Sequence, residues 1–182
     1  MSTPVNSSNL KVASIQMVST PSLQENLSTA SRLISSAAAD GAQLAVLPEY
    51  FCLMGLKDTD KVSARESFGS GPIQEQLSQI AKQNKLHLVA GTIPLEARDP
   101  NKVLNTTLVF DPAGQQITRY DKIHLFGFQT ATERYQESET IEAGNEPGIL
   151  KISVDGNNWT FGLSICYDLR FPELYRALGQ VD

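Results

Sequence analysis

Histidine and cysteine are scarce in this sequence of 182 residues, with two of each. Two cysteines, Cys52 and Cys166, are too few for a disulfide framework and point to a reducing compartment. Basic residues are outnumbered, 15 against 20 acidic, which leaves a net charge of −5. That balance excludes the broad basic field nucleic-acid binding needs. No apolar run approaches the length of a membrane span. Residues 1–9 are polar, with neither the basic start nor the apolar stretch of a signal peptide, and read as a flexible arm. These absences together predict a soluble cytoplasmic protein with no membrane or nucleic-acid partner.

What remains is ordinary globular material, 41% hydrophobic and 19% charged, long enough for one domain with a sizeable core. Alternation over 10–17 predicts a strand. Ser22 and Glu25 form a capping box, and Leu23, Leu27, Ala30, Leu33, Ile34 and Ala37 recur at helical spacing up to a stop at Gly41. The all-apolar run 44–47 suits a parallel strand buried on both faces, closing a βαβ unit. Residues 50–71 read as loop. Pro72 starts a second helix carrying Ile73, Leu77, Ile80 and Ala81. Strands follow over 86–93 and 104–110. Asp111 to Gly114 is a turn leading to an antiparallel partner over 116–120. Residues 126–148 read as a long loop, and 149–154 with 159–165 as a second hairpin. Pro172 begins a third helix. The class is α/β, and nothing visible after Cys166 covers the second hairpin.

Three side chains stand at strand ends. Cys166 lies between an apolar strand and the helix at Pro172, where backbone N–H groups converge beside a nucleophile. Glu49 follows a buried strand, at the rim where open α/β sheets hold ligands, and partial burial suits a carboxylate to accept a thiol proton. Lys122 stands at a strand end after Tyr120, and from the residues alone it reads either as a solvated lysine beside Asp121 or as an ammonium able to stabilise an oxyanion. His87 sits in an apolar strand and reads as a satisfied core histidine. His124 is two residues past Lys122, so a Cys166–His124 dyad stays open from the residues alone, although no orienting Asn accompanies it.

Three segments carry a resemblance. Leu47-Pro48-Glu49-Tyr50-Phe51, Tyr120-Asp121-Lys122-Ile123-His124-Leu125-Phe126 and Gly162-Leu163-Ser164-Ile165-Cys166-Tyr167-Asp168-Leu169-Arg170-Phe171-Pro172-Glu173-Leu174 resemble, in this order, the nitrilase superfamily of carbon–nitrogen hydrolases, in particular its Nit-type amidase branch. Tyr135 to Ser138 with Ala143-Gly144 resembles the segment bearing that family's supporting glutamate.

The resemblance implies an α-β-β-α sandwich over 10–182. Glu49 is then the general base, Lys122 the oxyanion stabiliser and Cys166 the nucleophile. Glu137 supports the lysine, the backbone N–H of Tyr167 completes the oxyanion site, and His124 is structural. It further implies hydrolysis of a small linear amide through a thioester, no metal or organic cofactor, and a homodimer or larger assembly. Family members run on past the cysteine helix, so the expectation here is the N-terminal two-thirds of such a domain, with its C-terminal part missing. Two alternatives stand beside amide hydrolysis: nitrile hydrolysis by the same residues, and an inactive chain acting only by association.

Overall fold

The computed structural model describes residues 9–180. The arm expected over 1–9 therefore lies, apart from Asn9, outside the described residues.

Strand β1 (Val12–Ser14) is followed by helix α1 (Leu23–Ala39), whose Ser22 Oγ accepts from the Glu25 N–H as the capping box predicts. Strand β2 (Leu44–Val46) pairs parallel with β1. The loop expected over 50–71 contains a short helix, α2 (Asp60–Ser63), before α3 (Pro72–Asn84) begins with proline in its first turn. Strand β3 (His87–Val89) pairs parallel with β2. The single strand expected over 86–93 is broken. Gly91 adopts φ +52°, and β4 (Ile93–Glu96) starts beyond it.

Strand β5 (Val103–Phe110) is the hub of a seven-stranded sheet. It pairs antiparallel with β3, β4 and β6 (Gln116–Asp121), with an irregularity at Val109/Phe110. The expected loop 126–148 is more ordered than its composition suggests. It forms a hairpin of β7 (Gly127–Gln129) and β8 (Arg134–Gln136), a 3-10 turn over Glu137–Glu139, and β9 (Ile141–Glu142), which joins β5 in parallel. These segments are too short to show a period, so polarity alone marked them as loop. Strands β10 (Gly148–Val154) and β11 (Asn157–Leu163) form the predicted second hairpin. A 3-10 turn over Cys166–Arg170 then leads to α4 (Pro172–Leu178).

Strand alternation divides the core in two. Leu88, Leu108 and Phe110 point to one face, where Leu27, Ile34, Ile73 and Leu77 of α1 and α3 cover them. Val89, Val109 and Tyr120 point to the other face and meet Leu150, Ile152, Leu163 and Ile165 of the hairpin. The outer side of β11 is partly covered by α4: a side chain at Gly162 would collide with Leu178, and Ser164 Oγ lies 2.9 Å from the Tyr175 hydroxyl. The expectation that nothing after Cys166 covers the hairpin is thereby corrected. The layers run helix, sheet, hairpin, helix, the α-β-β-α order that the resemblance implies. Among the described residues no helix is long and apolar enough to cross a membrane.

Candidate active site

Strand directions gather the candidate residues at one edge. β2 and β3 run parallel, and β6 is antiparallel to β5, which is antiparallel to β3. The ends of β2, β3 and β6 therefore open on the same side, and Glu49, Thr92 and Lys122 follow them. β11 brings Cys166 to that edge from the second layer.

Lys122 is fully buried, and its Nζ donates to Glu49 Oε1 at 2.9 Å and to Glu137 Oε1 at 3.0 Å. Desolvation works against its charge. The two carboxylates outweigh it and raise the ammonium above its ordinary pKa, so it stays protonated. Glu137 is itself held from two sides, by the Tyr50 hydroxyl at 3.2 Å and the Phe126 N–H at 2.7 Å. Burial first, then Glu137 and Glu49, push the Tyr50 hydroxyl's pKa up, which keeps it a donor. The Gly144 N–H donates to the Lys122 carbonyl, and a β-carbon at Gly144 would strike the Asp121 backbone. The Ala143-Gly144 pair thus permits the close approach that backs the lysine.

Cys166 is the first residue of the 3-10 turn and takes φ +48°, a left-handed conformation that costs a non-glycine residue roughly 1–3 kcal/mol. It shares a recess of about 130 Å³ with Glu49, walled by Val46, Val89, Thr107 and Ile165. The residue as a whole is exposed at the mouth of this recess. Partial burial of its thiol and then the Glu49 carboxylate raise its pKa, with Lys122 opposing. Tyr167 follows in the same turn. Cys52 is a different case: it is buried, and its thiol is pushed up to about 12 by desolvation.

The structure thus brings Glu49 and Glu137 into direct contact with Lys122 and sets Cys166 in the same recess as Glu49. It keeps both histidines out of that arrangement. His87 is buried in β3, where desolvation lowers its pKa. His124 stacks on Phe171 with ring centroids 3.6 Å apart, and its Nδ1 is 2.7 Å from Asp168 Oδ1. Asn105 and Asp168 were not singled out from the sequence. Asn105 Nδ2 donates to Glu49 Oε1 at 2.8 Å, and its carbonyl accepts from the Lys122 N–H. A polar residue inside the buried run of β5 was its one signal. Asp168 is fully buried. Among the described residues no three His, Cys, Asp or Glu side chains are grouped to hold a metal ion.

The family model for carbon-nitrogen hydrolases matches residues 11–182. The chain belongs to the carbon-nitrogen hydrolase family. This carbon-nitrogen hydrolase chain is 38% identical over 171 residues to a deaminated glutathione amidase of Synechocystis, covering 92% of this chain and 61% of that protein. It is 36% identical over 165 residues to omega-amidase NIT2 of Xenopus tropicalis, covering 90% and 57% respectively. Among solved structures it resembles Saccharomyces cerevisiae Nit3, a member of branch 10 of the nitrilase superfamily. The TM-score is 0.77 and the identity 30%, over 94% of this chain and 60% of that one. The chain therefore spans about three-fifths of the length of each of these three relatives.

Proposed function

We propose that the protein hydrolyses the C–N bond of a small linear amide through a thioester on Cys166. The observation that carries this reading is the Lys122 ammonium, which bridges Glu49 and Glu137 while Glu49 shares a cavity with Cys166. A thiol held above its ordinary pKa is protonated at rest and needs an acceptor. Glu49 is that acceptor. As the thiol proton passes to Glu49, sulfur bonds to the carbonyl carbon, and the developing oxyanion is held by Lys122 and the Tyr167 N–H. Collapse breaks the C–N bond. Glu49 returns the proton to the departing nitrogen, and ammonia leaves. Water then attacks the thioester, giving its proton to Glu49, and the acid departs as Cys166 regains a proton.

Two relatives are named for amidases, which supports an amide over a nitrile. The resemblance to the Nit-type branch implies the monoamide of a dicarboxylic acid or its 2-oxo analogue as substrate. The resemblance also implies a homodimer or larger assembly, which we include in the proposal.

The test is ammonia release by the full-length protein, with the nitrile run beside each amide. Cys166→Ala and Glu49→Gln are expected to lower turnover on the order of a thousandfold or more. A mass increment for the acyl group on the wild type, absent in Cys166→Ala, identifies the thioester. Ammonia release undiminished in Cys166→Ala would sink the mechanism.

A further inference from the structure

We propose that Asp168 is a positioning residue that sets the nucleophile against the Glu49–Lys122 pair, through contacts that touch no reacting atom. The inference rests on the reading of Cys166 as nucleophile and extends it to what holds the thiol in place.

Asp168 is a fully buried carboxylate at the third position of the turn that begins with Cys166. Its Oδ2 accepts from the Ile165 N–H at 2.9 Å, and its own N–H donates to the Ile165 carbonyl at 3.1 Å. This reciprocal pair closes a ring around Cys166 and holds it at φ +48°. The remaining bonds reach a different element. Oδ2 accepts from the Tyr120 hydroxyl at 2.6 Å. Oδ1 accepts from the His124 N–H at 3.0 Å and lies 2.7 Å from His124 Nδ1.

Tyr120 and His124 are the residues two before and two after Lys122. One carboxylate therefore joins the turn carrying the thiol to the segment carrying the ammonium, on both sides of the lysine. A carboxylate suits the task because it accepts at four lone-pair sites and has nothing to donate, and every contact made by its oxygens here comes from an N–H, an O–H or a ring nitrogen. His124 serves as one arm of this clamp, which accounts for a histidine beside the site that faces Asp168. The stack of His124 on Phe171 braces the same turn at its far end.

The consequence is specific. Loosening the clamp leaves the thiol present and accessible but displaces it from the carbonyl that Lys122 orients, and displacement on the order of 1 Å costs roughly a hundredfold in rate. Two variants of the full-length protein test this. Tyr120→Phe removes a single hydrogen bond from Asp168, and Asp168→Asn keeps the shape but replaces an acceptor oxygen by a donor. Both are expected to lower kcat by about tenfold or more while KM changes by less than about twofold. Alkylation of Cys166 by iodoacetamide, which needs only an accessible thiol, is expected to keep its rate within about twofold. Divergence of turnover from alkylation marks a positioning role. A parallel fall in both, or an unchanged kcat in the folded variants, overturns it. If Asp168→Asn does not fold, Tyr120→Phe decides the question alone. Unchanged turnover in these variants with Cys166→Ala inactive sinks only the role of Asp168, whereas an active Cys166→Ala sinks the nucleophile assignment itself.

Discussion

At Cys166 burial and the Glu49 carboxylate act in the same direction, both disfavouring the thiolate, and only Lys122 opposes them. The pH dependence of iodoacetamide labelling at Cys166, followed by peptide mass spectrometry, is expected to have its midpoint above the ordinary thiol value of 9.0. Glu49→Gln removes the larger of the two carboxylates that raise it, Glu49 and Glu137, so its midpoint moves down. On the proposed mechanism the variant then combines a more available thiolate with lost turnover, because that mechanism gives the thiol proton to Glu49. A midpoint that stays put or rises shows that Glu49 does not sense the thiol. Cys52, buried and pushed up to about 12, stays unlabelled and serves as the internal control. Glu49 and Cys166 were legible in the sequence because each stands where an apolar run stops, and Lys122 because it follows the second strand of a hairpin. Asn105 and Asp168 were not, because a polar residue within a buried strand or a turn reveals its partner only once both segments are placed.

Among the elements, the break between β3 and β4 was the least legible, and it bears directly on the site. The sequence reads as one apolar strand over 86–93, but the chain bends at Gly91 so that the turn carrying Pro48 and Glu49 can pass over it. A β-carbon at Gly91 would lie 2.1 Å from the Pro48 carbonyl oxygen, at φ +52°. Gly91→Ala is expected to cost about 3 kcal/mol or more and to displace Glu49, so stability and turnover fall together. Gly156→Ala is the comparison. It has φ +78° with no atom within 4 Å of the added carbon, so it bears only the left-handed cost of roughly 1–2 kcal/mol and leaves turnover intact. Urea denaturation and ammonia release measure both. Equal losses in the two variants would refute the close-approach argument. The β7–β8 hairpin escaped the sequence for a different reason. Its base is closed by the exchange between Phe126 and Glu137, where the Glu137 N–H donates to the Phe126 carbonyl and Phe126 N–H returns a bond to Glu137 Oε2. That is a contact across the loop which no local period encodes.

For the whole molecule, the two cores have separate tasks. The core under α1 and α3 builds the sheet, and the core under the hairpin holds Ile165, and with it Cys166, against that sheet. Leu150 is fully buried in the second core, so Leu150→Ala is expected to cost about 2–5 kcal/mol in chemical denaturation. Ile117→Ala, at a side chain 39% exposed, is expected to stay within about 0.5 kcal/mol. Similar values for the two would refute the burial of Leu150 in that core. The sequence by itself determined the α/β class, the parallel start of the sheet, both long hairpins and the strand-end placement of Glu49, Lys122 and Cys166, because apolar periodicity, caps and turn residues act over a few neighbours. Only the tertiary structure decided that Lys122 lies between two carboxylates, that Gly91 admits the Glu49 turn, and that Asp168 joins the cysteine turn to the lysine segment. Those contacts link residues from 15 to 73 positions apart, and their strength comes from burial. A carboxylate or an ammonium acquires its partner and its shifted pKa only when the layers close and exclude water.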